Sequence, residues 1–264
     1  MSSVVLGPVD PAPVEIINPS SISPVLITGD HTGNAVPAAM NGLGLPNSEL
    51  ERHIAWDIGA AGVARKLAHK MTATAVLAVY SRLLIDPNRP LGDPECIPFA
   101  SDGTPIPANA DLSDAEIEAR ANAFYWPYHR ATDEQIGRLR RAGKIPAIIA
   151  VHTFTPALSK AGDSARPWHV GVLYSRDERL PRPLMEALKA EEGLVVGDNE
   201  PYSGVTHGYA LKIHGLAHGL PHVELELRQD LVADEAGQEK WASLLAKVLG
   251  PILSEPDFNS ILHI

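Results

Sequence analysis

Short apolar runs alternate along this chain with longer segments that have a helical period. The runs contain many β-branched residues and show no helical period, which favours buried strands. Strands are predicted at 24–28, 74–80, 146–151, 168–174, 194–196 and 222–227, the fifth of them as a short edge strand. Helices are predicted at about 48–70, 112–142, 181–191 and 234–249. Because strands and helices alternate, we expect an α/β fold with a mostly parallel or mixed sheet flanked by helices.

Local signals set the predicted helix boundaries. The segments Ser48–Glu51 and Ser113–Glu116 both have the capping-box pattern that is typical of a helix start. Pro127 is expected to bend or interrupt the second helix, because proline has no backbone N–H to donate. Gly143 is expected to end that helix.

Some stretches carry many prolines or no periodic pattern. Residues 1–23 are predicted to form an extended N-terminal arm, and residues 24–264 a single domain. The proline-rich loop at 90–111 is long for a compact domain, and such loops often close over a binding site. Residues 198–221 are predicted as loop and turn with one weak helical segment.

Composition and charge limit the binding partners and the cellular compartment that we expect for this protein. The chain has 264 residues, is 45% hydrophobic and carries a net charge of −10 without a basic cluster, so nucleic acid and anionic membranes are excluded as partners. Its one cysteine, Cys96, cannot form an internal disulfide, which is typical of a reducing compartment. No signal-peptide pattern and no run of ~18 apolar residues is found, so we expect a cytoplasmic protein. No pattern predicts the oligomeric state.

Two histidines come at the ends of predicted strands. His31 follows the run at 24–28, and His152 follows the run at 146–151. The carboxyl ends of parallel strands share one rim of a sheet, so both imidazoles are expected there. Two histidines in that position suit a metal site, although each could instead cap its own loop.

A third metal ligand has two candidates. Asn34 lies three residues after His31, where a carboxylate would complete a His-x-x-Glu pair, but an amide is a weaker and neutral ligand. Asp57 would supply a negative charge, and it lies four residues after His53 on a common face of the first predicted helix. The alternative interpretation of Asp57 is a salt bridge on a solvated face.

The last predicted strand alternates strictly between polar and apolar residues. One face carries His222, Glu224, Glu226 and Arg228, and the other carries Val223, Leu225 and Leu227. A charged face on a strand of an α/β sheet has two interpretations. The strand lies at an edge with one wet face, or a glutamate points into the ligand crevice as a general acid or base.

Two arginines follow the second predicted strand. Arg89 lies beside Asn88 in a proline-flanked turn, and Arg82 precedes it by seven residues. A guanidinium at a strand end suits the bidentate capture of a carboxylate. An acidic protein does not attract an anionic substrate at long range, so such a contact has to be local. We therefore expect Arg89, Arg82 and Asn88 to bind substrate, the alternative being surface arginines.

Six groups of residues occur in a characteristic order along the chain. They are His31-Thr32-Gly33-Asn34, His53-x-x-x-Asp57, Ser81-Arg82-Leu83 with Asp86-Pro87-Asn88-Arg89, Tyr128-His129, His152-Thr153-Phe154, and Glu226-Leu227-Arg228-Gln229-Asp230-Leu231. In this order they resemble the N-formylglutamate amidohydrolase family, over about residues 24–250. That family is similar to zinc-carboxypeptidase-like hydrolases, with a phosphorylase/hydrolase-like fold. The order makes the resemblance more specific than any single motif.

The resemblance implies a metal-dependent amidohydrolase whose substrate is a small N-acyl amino acid, in particular an N-formyl amino acid such as N-formylglutamate. The cofactor would be Zn²⁺ or another divalent metal ion. The residues carried over are His31 and His152 as metal ligands, Glu226 as the catalytic base and Arg89 as the carboxylate ligand. Asn34 departs from the acidic ligand of the carboxypeptidase-like relatives. This departure leaves open a catalytically degraded relative that binds an acidic metabolite. A metal-dependent deacylase or peptidase with other substrates is a further alternative.

Overall fold

A seven-stranded mixed β-sheet forms the centre of the protein in a computed structural model that describes residues 6–157, 166–255 and 258–262. The strands are β1 (Val14–Ile17), β2 (Val25–Gly29), β3 (Thr74–Ala78), β4 (Ala100–Ser101), β5 (Thr104–Pro105), β6 (Ala147–Phe154), β7 (Val170–Leu173), β8 (Val196–Asp198) and β9 (His222–Arg228). The order across the sheet is β1-β3-β2-β6-β9-β7-β8, and β4 and β5 form a separate small hairpin in the loop at 90–111. The predicted α/β fold is confirmed.

Strand direction divides the sheet into a parallel centre and antiparallel additions. β3, β2, β6 and β9 run parallel, whereas β1 pairs antiparallel with β3 and β7 antiparallel with β9. β1 comes from the predicted N-terminal arm, whose residues 1–5 lie outside the described residues. β9 lies between β6 and β7, so its interpretation as an edge strand is wrong.

Helices cover both faces of the sheet. They are α1 (Asn47–Leu50), α2 (Ala60–Lys70), α3 (Asp114–Arg120), α4 (Trp126–Arg141), α5 (Pro181–Lys189), α6 (Tyr209–His214) and α7 (Glu235–Leu253). α2, α5 and α7 pack on one face around a large apolar core, and α4 and α6 pack on the other. A third apolar cluster lies under the loops that follow β2 and β3. Among the described residues, no helix has the length and apolar character that crossing a membrane requires.

The first predicted helix, at 48–70, is wrong in its extent. α1 ends at Leu50, and α2 begins only after Gly59, which has a φ of +86° in the left-handed region. A Cβ at Gly59 would collide with the carbonyl oxygen of Val232, so glycine is required both for its conformation and for this close approach. His53 and Asp57 consequently lie in turns between the two helices and share no helical face.

The second predicted helix is confirmed, with an interruption at the expected place. Ser113 and Glu116 make both hydrogen bonds of a capping box at the start of α3. A π-helical turn, Ala121–Tyr125, separates α3 from α4 and lies directly before Pro127. α4 ends at Arg141, and Gly143 follows with a φ of +75°. The missing N–H of proline explains why the regular α-helical hydrogen bonds change here.

Candidate active site

The carboxyl ends of the parallel strands form the floor of a cleft with about 750 Å³ of empty space, its mouth included. His152 of β6 lies opposite Glu226 of β9 in the sheet register, so their side chains share one face. His31 lies two residues after the end of β2, and the loop after β3 leads to Arg89 on one wall. The structure thus brings together residues that the sequence places far apart.

His31, Asp57 and His152 form a compact cluster of potential metal ligands. One donor atom from each residue lies within 4.8 Å of the other two. Oδ2 of Asp57 is 2.9 Å from Nδ1 of His152 and 3.6 Å from Nδ1 of His31. All three residues are buried, so the interpretation that placed Asp57 on a solvated face is wrong.

The turn before α2 brings Asp57 to the two histidines. Its backbone N–H donates to the carbonyl oxygen of His31 at 2.8 Å, and its Oδ2 accepts a hydrogen bond from the backbone N–H of Thr153 at 3.2 Å. Asn34 points elsewhere, because its side-chain nitrogen donates to the carbonyl oxygen of Leu50 at 3.0 Å and it does not line the cleft. The alternative assignment of Asn34 as third ligand is therefore wrong.

A carboxylate lies behind each imidazole. Nε2 of His31 is 2.7 Å from Oδ1 of Asp86, and Nε2 of His152 is 3.5 Å from Oδ2 of Asp30. The Tyr128 hydroxyl donates a hydrogen bond to the other oxygen of Asp30. Nε2 of His152 is buried and has no hydrogen-bond partner among the described residues. The hydrogen bond between His31 and Asp86 is the kind of contact by which a carboxylate on the second ring nitrogen orients a metal-binding histidine.

Strong electrostatic coupling shifts the pKa values of the cluster. Burial opposes the ionisation of Asp57, yet the nearby imidazoles outweigh it and hold the pKa of Asp57 well below its usual range. Burial likewise opposes the charged form of His152, but Glu224, Asp30 and Asp57 raise the pKa of this imidazole well above its usual value. The cluster therefore favours positive charge at its centre.

The balance of charges fits a divalent cation. The buried carboxyl groups around the cluster are those of Asp30, Asp57, Asp86, Glu224 and Glu226. Asp86, Asp57 and Asp30 lie beside His31, Arg82 and His152 respectively, and Glu224 and Glu226 add two more buried acids. Isolated buried carboxylates are costly. Two imidazole nitrogens with one carboxylate oxygen are also a donor set that Zn²⁺ uses in catalytic sites.

The two predicted substrate-binding arginines have different surroundings. Arg82 lies 3.1 Å from Oδ2 of Asp86 and 3.5 Å from Oδ1 of Asp57, which ties its guanidinium to the buried cluster. The guanidinium of Arg89 also lines the cleft but forms no ion pair with a carboxylate of the described residues. Arg89 is thus the more available of the two for an anionic ligand.

Asn88 lines the cleft and also fixes the loop that carries Arg89. Its side-chain oxygen accepts a hydrogen bond from the backbone N–H of Ala210, in the first turn of α6, at 2.9 Å. Its own backbone N–H donates to Oδ1 of Asp86 at 2.7 Å. The side-chain oxygen of Asn88 is therefore already engaged, which leaves its side-chain nitrogen for substrate.

Two buried glutamates of β9 point into the cleft. Burial raises the pKa of Glu224, and burial raises the pKa of Glu226 well above its usual value, with further contributions from neighbouring acids. Oε2 of Glu226 is buried and has no hydrogen-bond partner among the described residues. A carboxyl group with an unpartnered oxygen and a raised pKa beside the cluster can both take up and return a proton.

Several cleft residues were not predicted from the sequence. Asp86 lines the cleft from the loop after β3, eight residues beyond the strand end, so the strand-end rule that selected His31 does not reach it. Tyr202 and His207 also line the cleft, but they come from a segment that was predicted only as loop and turn. No local pattern marks that segment, because its position depends on long-range packing.

Comparisons with known proteins agree with this geometry. The model of the family described as N-formylglutamate amidohydrolase matches residues 23–233. A curated protein of Pseudomonas aeruginosa, N-formylglutamate deformylase, is 25% identical over an alignment of 246 residues that covers 88% of this chain and 90% of that protein.

Two solved structures share the architecture. Gene product Atu2144 from Agrobacterium tumefaciens is 35% identical with a TM-score of 0.89, and the match covers 95% of this chain and 98% of that one. The N-formylglutamate amidohydrolase from Ralstonia eutropha JMP134 is 22% identical with a TM-score of 0.67, covering 92% and 97%. At that identity the second likeness shows the fold alone.

Proposed function

The chain belongs to the N-formylglutamate amidohydrolase family and is an amidohydrolase, and on that premise we propose that it hydrolyses N-formylglutamate to formate and glutamate with the help of a divalent metal ion. The observation that carries the proposal is the convergence of His31, Asp57 and His152 beside Glu226 on the cleft floor. Asp57 supports the proposal because its carboxylate supplies an acidic donor beside the two histidines, which Asn34 does not. This favours a hydrolase over a degraded relative.

The residues of the site have distinct tasks in this reaction. His31, Asp57 and His152 would hold the metal ion, which when bound polarises a carbonyl group and lowers the pKa of water. Glu226 takes a proton from the attacking water as the water oxygen bonds to the formyl carbon. The bond between carbon and nitrogen then breaks, its electron pair goes to nitrogen, and Glu226 returns the proton to that nitrogen.

Arg89 is the residue that we assign to a substrate carboxylate. Its guanidinium lines the cleft without an ion pair to the described carboxylates, and the loop that carries it is held by Asn88. A bidentate contact there would fix the position of the amino acid relative to Glu226. Arg82, which is bound to Asp57 and Asp86, contributes positive charge beside it.

The proposal is tested by measuring formate or amine release from a set of substrates. N-formylglutamate, N-formylglutamine, N-acetylglutamate and a glutamyl peptide are compared, each before chelation, after chelation and after addition of Zn²⁺. We expect N-formylglutamate to be hydrolysed fastest, with activity lost on chelation and restored by the metal. Faster hydrolysis of the acetyl or peptidyl substrate would instead identify a deacylase or peptidase. Full activity of metal-free protein would contradict the metal dependence.

A further inference from the structure

The loop that carries Tyr202 is packed directly on the sheet beside Glu226. Gly171 of β7 is the register partner of Glu226, and a Cβ at Gly171 would collide with the carbonyl oxygen of Glu200. The same Cβ would lie 3.3 Å from the Cβ of Glu226, so the loop covers the face on which Glu226 stands. Glycine at this position lets the loop reach the cleft floor.

Asn199 fixes the course of this loop. Its side-chain oxygen accepts hydrogen bonds from the backbone N–H of Tyr174 at 3.0 Å and from that of Gly204 at 2.9 Å. A Cβ at Gly204 would lie 2.5 Å from the backbone nitrogen of Tyr174, which shows how closely the two segments approach. Tyr202 is therefore carried by a braced segment and lines the cleft from it.

Arg166 determines the direction in which the Tyr202 hydroxyl can donate. Nη1 of Arg166 donates to the phenolic oxygen at 3.0 Å, and the guanidinium carbon lies 5.1 Å from the centroid of the ring. The phenolic hydrogen has no acceptor among the residues that the structure describes. A phenol that accepts from a guanidinium is a stronger donor, because the hydrogen bonds of a chain polarise one another.

The surroundings keep that hydrogen on the phenol. Burial and the negative charge of Glu226 raise the pKa of Tyr202. The hydroxyl is thus a preorganised donor in the cleft that also contains Glu226 and His152.

We propose that Tyr202 is a further catalytic residue, whose hydroxyl donates a hydrogen bond to the carbonyl oxygen of the scissile amide, and that Arg166 is its positioning residue. When the water oxygen bonds to the carbonyl carbon, the π electron pair moves to the carbonyl oxygen. A fixed donor stabilises that oxygen more in the transition state than in the bound substrate. The Tyr202 proton stays on the phenol throughout. This inference rests on the proposed function.

The test is the steady-state kinetics of formate release from N-formylglutamate by metal-loaded wild type, Tyr202→Phe, Arg166→Gln and the double variant. Tyr202→Phe should lower kcat on the order of 10²-fold, as the loss of one such donor does, with KM within about threefold of wild type. Arg166→Gln should lower kcat about tenfold, the scale of a supporting partner. In the Tyr202→Phe background, Arg166→Gln should have no further effect, because it acts through the hydroxyl.

Tyr174→Phe is the matched control. Tyr174 also lies under a guanidinium, with the Arg182 carbon 5.1 Å from its ring centroid, and its hydroxyl donates to Asp198 at 2.6 Å. It does not line the cleft, so this variant should keep the wild-type kcat. Bound metal and the unfolding temperature are measured for all variants, so that kcat is compared between folded, loaded proteins.

The outcomes separate this inference from the proposed function. Wild type that releases formate, together with Tyr202→Phe that retains its kcat, overturns the role of Tyr202 and leaves the function intact. A rise in KM without a fall in kcat also overturns it, since the hydroxyl would then only bind the ground state. Wild type without any formate release overturns both.

Discussion

Alternate residues of β9 form two faces, one of which is apolar and the other acidic. On one face, Val223, Leu225 and Leu227 are fully buried in the apolar core that α2, α5 and α7 cover. On the other face, Glu224 and Glu226 are buried just as deeply, but beside a cluster of histidines and carboxylates. Burial is thus nearly equal on the two faces, whereas their chemistry differs completely.

The comparison shows what each face does for the protein. Burying a leucine stabilises the fold by about 1.5–3 kcal/mol. Burying a carboxyl group costs free energy unless a partner compensates it, and Oε2 of Glu226 has none among the described residues. A strand that needed only stability would carry apolar residues on both faces, as β6 does at Ile148 and Ile149. The catalytic role that we propose for Glu226 would account for a buried acidic face that stability alone does not favour.

Removing one of the proposed metal ligands should have the largest effect on activity. His31→Ala and His152→Ala each take one nitrogen from the cluster with Asp57. Losing about 4 kcal/mol of charge stabilisation corresponds to about 10³-fold in rate, so we expect kcat for formate release to fall at least that far. Metal content by mass analysis and the circular dichroism spectrum are measured alongside. Full metal loading in both variants would contradict the assignment.

Replacing one glutamate of β9 at a time tests which of the two acts as the catalytic base. Glu226→Gln keeps the shape of the side chain and removes its ability to take a proton. It should lower kcat by about 10²-fold or more, with little change in KM. Glu224→Gln is the matched variant two residues away and should retain more activity. An inactive Glu224→Gln beside an active Glu226→Gln would reverse the assignment.

Replacing Arg89 on the wall of the cleft should lower kcat/KM by a smaller factor that depends on the substrate. A lysine cannot reproduce the bidentate contact of Arg89 with a carboxylate. Truncating one partner of such a pair costs about 2–5 kcal/mol, and Arg89→Lys should lose part of that in kcat/KM for N-formylglutamate. The loss should be much smaller for N-formylglutamine, whose side chain lacks the charge. Equal losses on both substrates would mean that Arg89 has a structural role or binds the α-carboxylate that both substrates share.

A substitution on the apolar face of β9 should lower the stability of the protein and leave its activity almost unchanged. Leu225→Ala leaves a cavity in a fully buried position and should lower the free energy of unfolding by about 2–5 kcal/mol in urea denaturation. The kcat of the folded fraction should stay close to that of wild type. A large fall in kcat with unchanged stability would show that the two faces are not separate in function.

The parts of the fold that could be predicted from the sequence depend on local signals. β2, β6 and β9 are apolar or strictly alternating runs, and the capping box at Ser113 has both of its partners within one helical turn. The break of the first helix at Gly59 could not be predicted in this way. It depends on contact with Val232, a residue far along the chain.

The residues of the candidate site also differ in whether local signals or tertiary contacts determine their positions. His31, His152 and Glu226 stand on or just after strands, so pattern and strand-end geometry place them in the cleft. Asn34 fails as a ligand because its amide binds the carbonyl oxygen of Leu50, a tertiary contact. Tyr202 could not be found, because three-dimensional packing of its loop brings it to the site. Whether the loop at 90–111 acts as a lid stays a prediction.

The most direct test of a metal centre in this cleft is calorimetric titration of Zn²⁺ into metal-free wild type, Asp57→Asn and Asn34→Ala. The account predicts one ion per chain in wild type and a loss of affinity of more than about 10²-fold in Asp57→Asn, because a direct ligand matters more than its supporting partners. Asn34→Ala should bind as tightly as wild type, since Asn34 faces Leu50. Wild type that binds no Zn²⁺, or Asp57→Asn that binds it equally well, would contradict the account.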